Sequence, residues 1–166
     1  MGGGEARERS STLGMFLFMH NMNKPYSFEG AVRMESPREQ KEELIDMSEW
    51  FWEIIERASR DRDKLRSILS VMPKEDINRF QREFLGAATQ LRYGPFSDLV
   101  YASGDSEDGL DDISNWVVSQ GRPYYESVYA NPDTIPLGIN PGNPQILYGV
   151  AGEVYEERFG ELLGIY

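Results

Sequence analysis

Almost every apolar residue after Ser36 recurs at a spacing of three or four, and that period admits helices and little else. Trp50, Phe51, Ile54, Ile55 and Ala58 form one such row. Leu65, Ile68, Leu69 and Met72 form a second, and Ile77, Phe80, Phe84, Leu85, Ala88 and Leu91 a third. Phe96, Leu99 and Val100 supply one or two further turns. Ile146, Val150 and Val154, with Leu147, Tyr155 and Phe159, mark a last helix beginning near Gln145. Between the rows stand residues that start or stop helices. Ser36-Pro37-Arg38-Glu39 is a capping box with proline at the first helical position, where its missing N–H would be unpaired anyway. Asp46-Met47-Ser48-Glu49 is a second start signal, Pro73 a third, and Tyr93-Gly94-Pro95 a turn. The fold class that follows is all-α: a single compact bundle of about six or seven helices. With 166 residues, 40% of them hydrophobic, the chain is long enough for one packed core.

The bundle is expected over residues 36–166, preceded by an arm over 1–35. Met1 to Thr12 is Gly-rich and polar, a composition that does not order by itself. Gly14–Met19 and Phe28–Met34 read either as two short strands of a β-hairpin or as an irregular arm that packs Phe16, Phe18 and Phe28 on the bundle.

The least generic stretch runs from Ser103 to Asp133. An acidic, glycine-containing loop leads into a helix whose apolar face holds Leu110, Ile113, Trp116 and Val117. Asp108 is placed to cap it, since a carboxylate accepts a bond from a free amide of the first turn. Asp111 and Asp112 follow near the positive end of the dipole. Gly121 suits the left-handed position after a helix, and Pro123 then opens a Tyr-rich helix with Tyr124, Tyr125, Val128 and Tyr129 on one face. Asn131-Pro132 breaks it. The next segment, to Gln145, carries four Pro and two Gly and is a long loop, a kind of segment that is often functional.

The run from Ser106 to Ile135, SEDGLDDISNWVVSQGRPYYESVYANPDTI, resembles the signature of an uncharacterised bacterial family, domain of unknown function 4240. Met47 to Ala58 is similar to that family's opening helix, and Met72 to Phe84 supplies a third match. The resemblance covers roughly residues 47–166. Leu110 and Ile113 stand where the family tends to have aromatics, and Ser114 where it often has Arg. The resemblance implies a helical fold and a regulatory setting, since members occur alone or fused to regulator-like modules of the WGR type. It implies no activity and no catalytic residue.

Charge narrows the function classes. The chain has 17 basic and 28 acidic residues, a net charge of −11, the reverse of the basic footprint that nucleic acid demands. Residues 103–166 hold two basic and eleven acidic residues, so 2 − 11 = −9 of that charge lies there. No run reaches the ~20 apolar residues of a membrane span. The absence of Cys removes disulfides and thiolate chemistry and permits a cytoplasmic, reducing setting. His20 is the single histidine, and no nucleophile elbow, Walker loop or dinucleotide fingerprint occurs. No catalytic residue, cofactor or metal is therefore expected. A calcium loop with Gly109 at its centre would begin at Gly104 and end at Asn115, which is out of register.

The candidate partner-binding residues are Asp105, Glu107, Asp108, Asp111 and Asp112. Trp52 joins them: it lies two residues from Trp50, so the two cannot share one buried face, and the outer one is a candidate contact point. Trp116 is expected in the core. The expectation for function is an acidic, non-catalytic interaction or regulatory module that meets a protein with a basic face, as an immunity protein meets its toxin. The alternative is a carboxylate-based or metal-assisted enzyme with its site between the acidic loop 103–112 and the Pro/Gly-rich loop 131–145.

Overall fold

The computed structural model describes residues 46–164. The expected arm over 1–35, with its alternative readings as a hairpin or an irregular segment, and the capping box at Ser36 lie outside them. Seven α-helices follow in order: α1 Glu49–Ala58, α2 Arg62–Leu69, α3 Lys74–Gln90, α4 Pro95–Ala102, α5 Glu107–Ser119, α6 Arg122–Ala130 and α7 Val150–Phe159. A single 3-10 turn, Pro132–Thr134, follows α6, and no strand occurs among the described residues. The expected all-α bundle is the observed architecture.

The long helix α3 is the spine. It packs on α1, α5 and α7, while α2 bridges α1 and α7 and α4 seats against α5. Rings fill the centre: Phe51 lies 5.4 Å from Phe80, and Trp52 lies 5.2 Å from Tyr125, both as tilted pairs. Tyr125 brings a hydroxyl into this core and donates it to the Ala87 carbonyl at 3.2 Å. Burial pushes the Tyr125 phenol well above its ordinary pKa, so it remains a donor at any working pH.

Polar groups on buried faces are matched locally. Ser114 and Ser119 on α5 turn back to the carbonyls of Leu110 and Asn115, each at 2.7 Å. The start of α1 shows a division of labour between distant residues. Ser48 is the N-cap, its hydroxyl accepting from the Phe51 amide. The reciprocal carboxylate of a capping box stands three residues on in the same helix. That position here is Phe51, and Glu83 of α3 supplies the carboxylate instead, accepting from the Ser48 N–H at 2.8 Å. Glu83 also pairs with Arg79, whose guanidinium lies 4.4 Å from the Trp50 ring.

The last helix begins at Val150, five residues later than its apolar spacing predicts. Ile146 and Leu147 are buried, but as loop residues, and Gly149 (φ 89°) turns the chain into the helix. Three side chains hold this loop. Asp105 accepts from the Gly138 N–H at 3.2 Å, and the Ser119 hydroxyl accepts from the Leu147 N–H at 2.9 Å. Arg62 donates to the carbonyls of Ile146 (2.7 Å) and Tyr148 (2.9 Å) while pairing with Glu153 at 2.8 Å.

Replacing Arg62 by Ala should therefore cost about 2 kcal/mol, the range for hydrogen bonds made by a charged group. Lys at this position should recover only part of that, since it lacks the planar fork. Glu153→Gln should cost under about 1 kcal/mol because its pair is exposed. Urea unfolding of the three variants checks the order.

Candidate functional site

The entrance of α5 collects the acidic residues singled out in the sequence. The cap there is Ser106, not Asp108: its hydroxyl accepts from the Gly109 amide at 3.2 Å. Both residue types cap well, and the choice falls to Ser106 because helical geometry starts at Glu107. Asp108 instead sits in the first turn beside Glu107, where negative charge meets the positive end of the dipole.

The five acids do different work. Asp105 is a strut. One of its oxygens holds the Gly138 amide, and a Cβ placed on Gly109 would lie 2.7 Å from the other. Glycine at that position leaves room for the carboxylate, which explains a residue otherwise unfavourable inside a helix. Asp111 pairs with Arg92 at 2.9 Å. Glu107, Asp108 and Asp112 have no ion-pair partner among the described residues. Partial burial, then the charges of Asp111 and Asp108, hold the Asp112 carboxyl above its ordinary pKa. Two exposed apolar residues flank the acids. Tyr101 (48% exposed) ends α4 just before the acidic loop, and Leu137 (53%) adjoins the Gly138 that Asp105 holds.

Trp52 is a correction. It is 4% exposed and packed between Phe51 and Tyr125, so it cannot meet a partner. Trp50 is the residue at the edge, half-buried beneath Arg79. Trp116 is also displaced from expectation: it is half-buried, meets the Tyr124 ring edge-on at 5.6 Å, and its indole N–H lacks a hydrogen-bond partner.

Of the carboxylates on and just after the last helix, Glu156 alone lacks an ion-pair partner among the described residues. Glu153 and Glu157 meet Arg66, and Glu161 meets Lys74 at 2.6 Å. Arg122 is likewise spent on Glu49 and Glu126. Glu53 and Arg57 stand four apart on α1, yet they form no ion pair, and Arg57 is without a carboxylate.

Among the described residues no three acidic or histidine side chains converge as metal ligands. Four open hollows lined by described residues lie elsewhere, three around the α1–α2 bend and one between α3 and the end of α7. Among the described residues no helix is long and apolar enough to cross a membrane.

Reasoning from sequence missed Gly109 as a spacer, Ser106 as the cap and Arg62 and Ser119 as the anchors of the loop. A signal existed for the first two: glycine three residues after a serine at a helix start marks both a cap and a close approach.

The chain belongs to the family described as protein of unknown function (DUF4240), whose model matches residues 47–157. No curated protein and no solved structure matches it.

Two measurements test this anatomy. Gly109→Ala should displace the Asp105 carboxylate, and hydrogen exchange at the Gly138 amide should accelerate while the α3 core stays protected. Asp112→Asn should raise the melting temperature at pH 7. A carboxyl whose folded pKa is raised weakens the fold only while ionised. The gain should therefore shrink as pH falls through the carboxylate range and vanish below the unfolded-state value of about 3.9.

Proposed function

We propose that this member of the family is a non-catalytic interaction module of the cytoplasm that receives a basic protein segment on the α5 entrance, as an immunity-type protein receives its target. The observation that carries this reading is the sorting of charge. Of the carboxylates of the C-terminal part that have no ion-pair partner among the described residues, Asp133 and Glu156 stand apart in the sequence, whereas Glu107, Asp108 and Asp112 fall within six residues at one helix start. The Asp112 carboxyl, held above its ordinary pKa by partial burial first and by the Asp111 and Asp108 charges second, is an ionised group that a nearby cation would stabilise. Tyr101 and Leu137 supply apolar contact next to the charge, the mixture that interfaces use.

Charge of this kind raises the rate of encounter more than it tightens the final contact. The test uses a short oligolysine peptide titrated into the ¹⁵N-labelled chain. Saturable shifts are expected at the amides of residues 104–113 and at Gly138, weakening steeply with salt. The double change Glu107→Lys with Asp112→Lys should abolish them and leave folding intact, since neither residue caps the helix. Binding should also fade as pH falls through the carboxylate range. Shifts centred on α7, or shifts indifferent to salt and to the double change, would reject the reading.

A further inference from the structure

The helix α4 differs from the rest in how it is held. Every other helix is tied to a distant part of the fold by an ion pair or a side-chain hydrogen bond. Glu49 and Arg122 join α1 to α6, Arg62 and Glu153 join α2 to α7, the Tyr125 hydroxyl reaches the Ala87 carbonyl of α3, and Ser119 of α5 holds the Leu147 amide. Among the described residues α4 makes no such tie. The hydroxyls of Ser97 and Ser103 turn back to the carbonyls of Gly94 and Val100, within its own ends. What holds α4 is apolar. Phe96 and Val100 are buried, Leu99 is partly buried, and the Phe96 ring lies 5.6 Å from that of Tyr129. The helices α2 and α6 also bury two residues each, but they have their polar ties besides.

Both ends of α4 are glycines at positive φ: Gly94 before it, at 59°, and Gly104 after it, at 92°. A Cβ on either would meet nothing within 4 Å. Space is therefore not what glycine supplies at these positions; backbone freedom is. No side chain caps the front of the helix.

We infer that α4 is a hinged flap, which swings on Gly94 and Gly104 and lifts from its seat on α5 and the Pro132–Thr134 turn while the other helices stay packed. An element with few buried residues and no polar tie lies at the low-stability end of a fold, where moving parts are found. Residues at the ends of an element absorb the change in dihedral angles, and glycine absorbs it at least cost. The open state is a minor one, because it brings Phe96 and Val100 into water. The flap also reaches the α5 entrance. The Asp105 N–H donates to the Val100 carbonyl at 3.3 Å, and Tyr101 lies in the last turn of α4. Opening breaks that bond and moves Tyr101 relative to the acids, so a ligand that uses both selects the closed flap. This link to a ligand rests on the reading of the entrance proposed above; the flap itself does not.

Native-state hydrogen exchange on the ¹⁵N-labelled full chain, in rising urea below the unfolding transition, tests the flap. The amides of residues 99–103 should exchange about tenfold or more faster than the slowest of α3, through one shared opening that urea hardly affects because it exposes little surface. Exchange of these amides only through the global, urea-dependent opening would overturn the inference. The double change Phe96→Ala with Val100→Ala supplies a second measure. A flap that opens alone limits the damage: the global loss of stability cannot exceed the flap's own opening free energy. The variant should therefore leave 99–103 unprotected and the other helices folded, and a larger loss, or a chain that does not fold, would overturn the flap. Oligolysine, added until the shifts at 104–113 saturate, should slow exchange at 99–103 by roughly threefold or more, as binding to one state requires. Saturated shifts without slowing would overturn the link between flap and entrance. Absent shifts would reject the reading of the entrance alone, with the flap decided by exchange in the free chain.

Discussion

A segment with neither helix nor strand must find partners for its backbone among other elements, or lose the stability that buried polar groups cost. Between Ile135 and Gly149 this requirement shapes the molecule. Arg62 from α2 takes two carbonyls, Ser119 from α5 takes one amide, and Asp105 before α5 takes another. Each anchor comes from a different part of the fold, so the loop is held only once α2 and α5 are in place. Its end then delivers Val150, Ala151, Val154 and Tyr155 to the core, all buried. The docking of α7 depends on an irregular segment and not on its own short apolar stripe.

The same docking decides where charge remains. By bringing α7 against α2, the fold sets Glu153 and Glu157 on Arg62 and Arg66. At the entrance of α5, Glu107, Asp108 and Asp112 are left without an ion-pair partner among the described residues, and at its exit Gln120 meets the Arg60 guanidinium. Thirteen helical residues separate these ends by about 20 Å, roughly twice the Debye length at physiological salt, so the charge of the entrance is largely screened at the exit.

The helices were legible because each carries its own apolar row and its own start signal. Ser48, Pro73 and Gly121 stand where helices meet loops, as their chemistry requires. The errors fall where two local signals compete. Ser106 and Asp108 are both capping residues, and the local sequence does not rank them. Ile146 and Leu147 have helical spacing with Val150 and Val154, yet they are buried from a loop, because burial and not helicity was the requirement they met. Trp50 and Trp52 point to different sides of α1, and the side that is buried was set by Tyr125, 73 residues beyond Trp52.

Sequence by itself determined the helical class, the punctuation between Met47 and Ala130, the excess of acid in the last third, and the concentration of acids before Leu110. These are local properties, written in spacing and in residue type. Only the tertiary structure decided which charges survive. Ion pairing depends on distances between residues up to 91 positions apart, as for Arg62 and Glu153, and no count along a chain contains those distances. The fold thus matched Glu153, Glu157 and Glu161 with cations of α2 and α3 and left Glu107, Asp108 and Asp112 unmatched beside one another, because packing of the apolar rows fixed the neighbours of every charge.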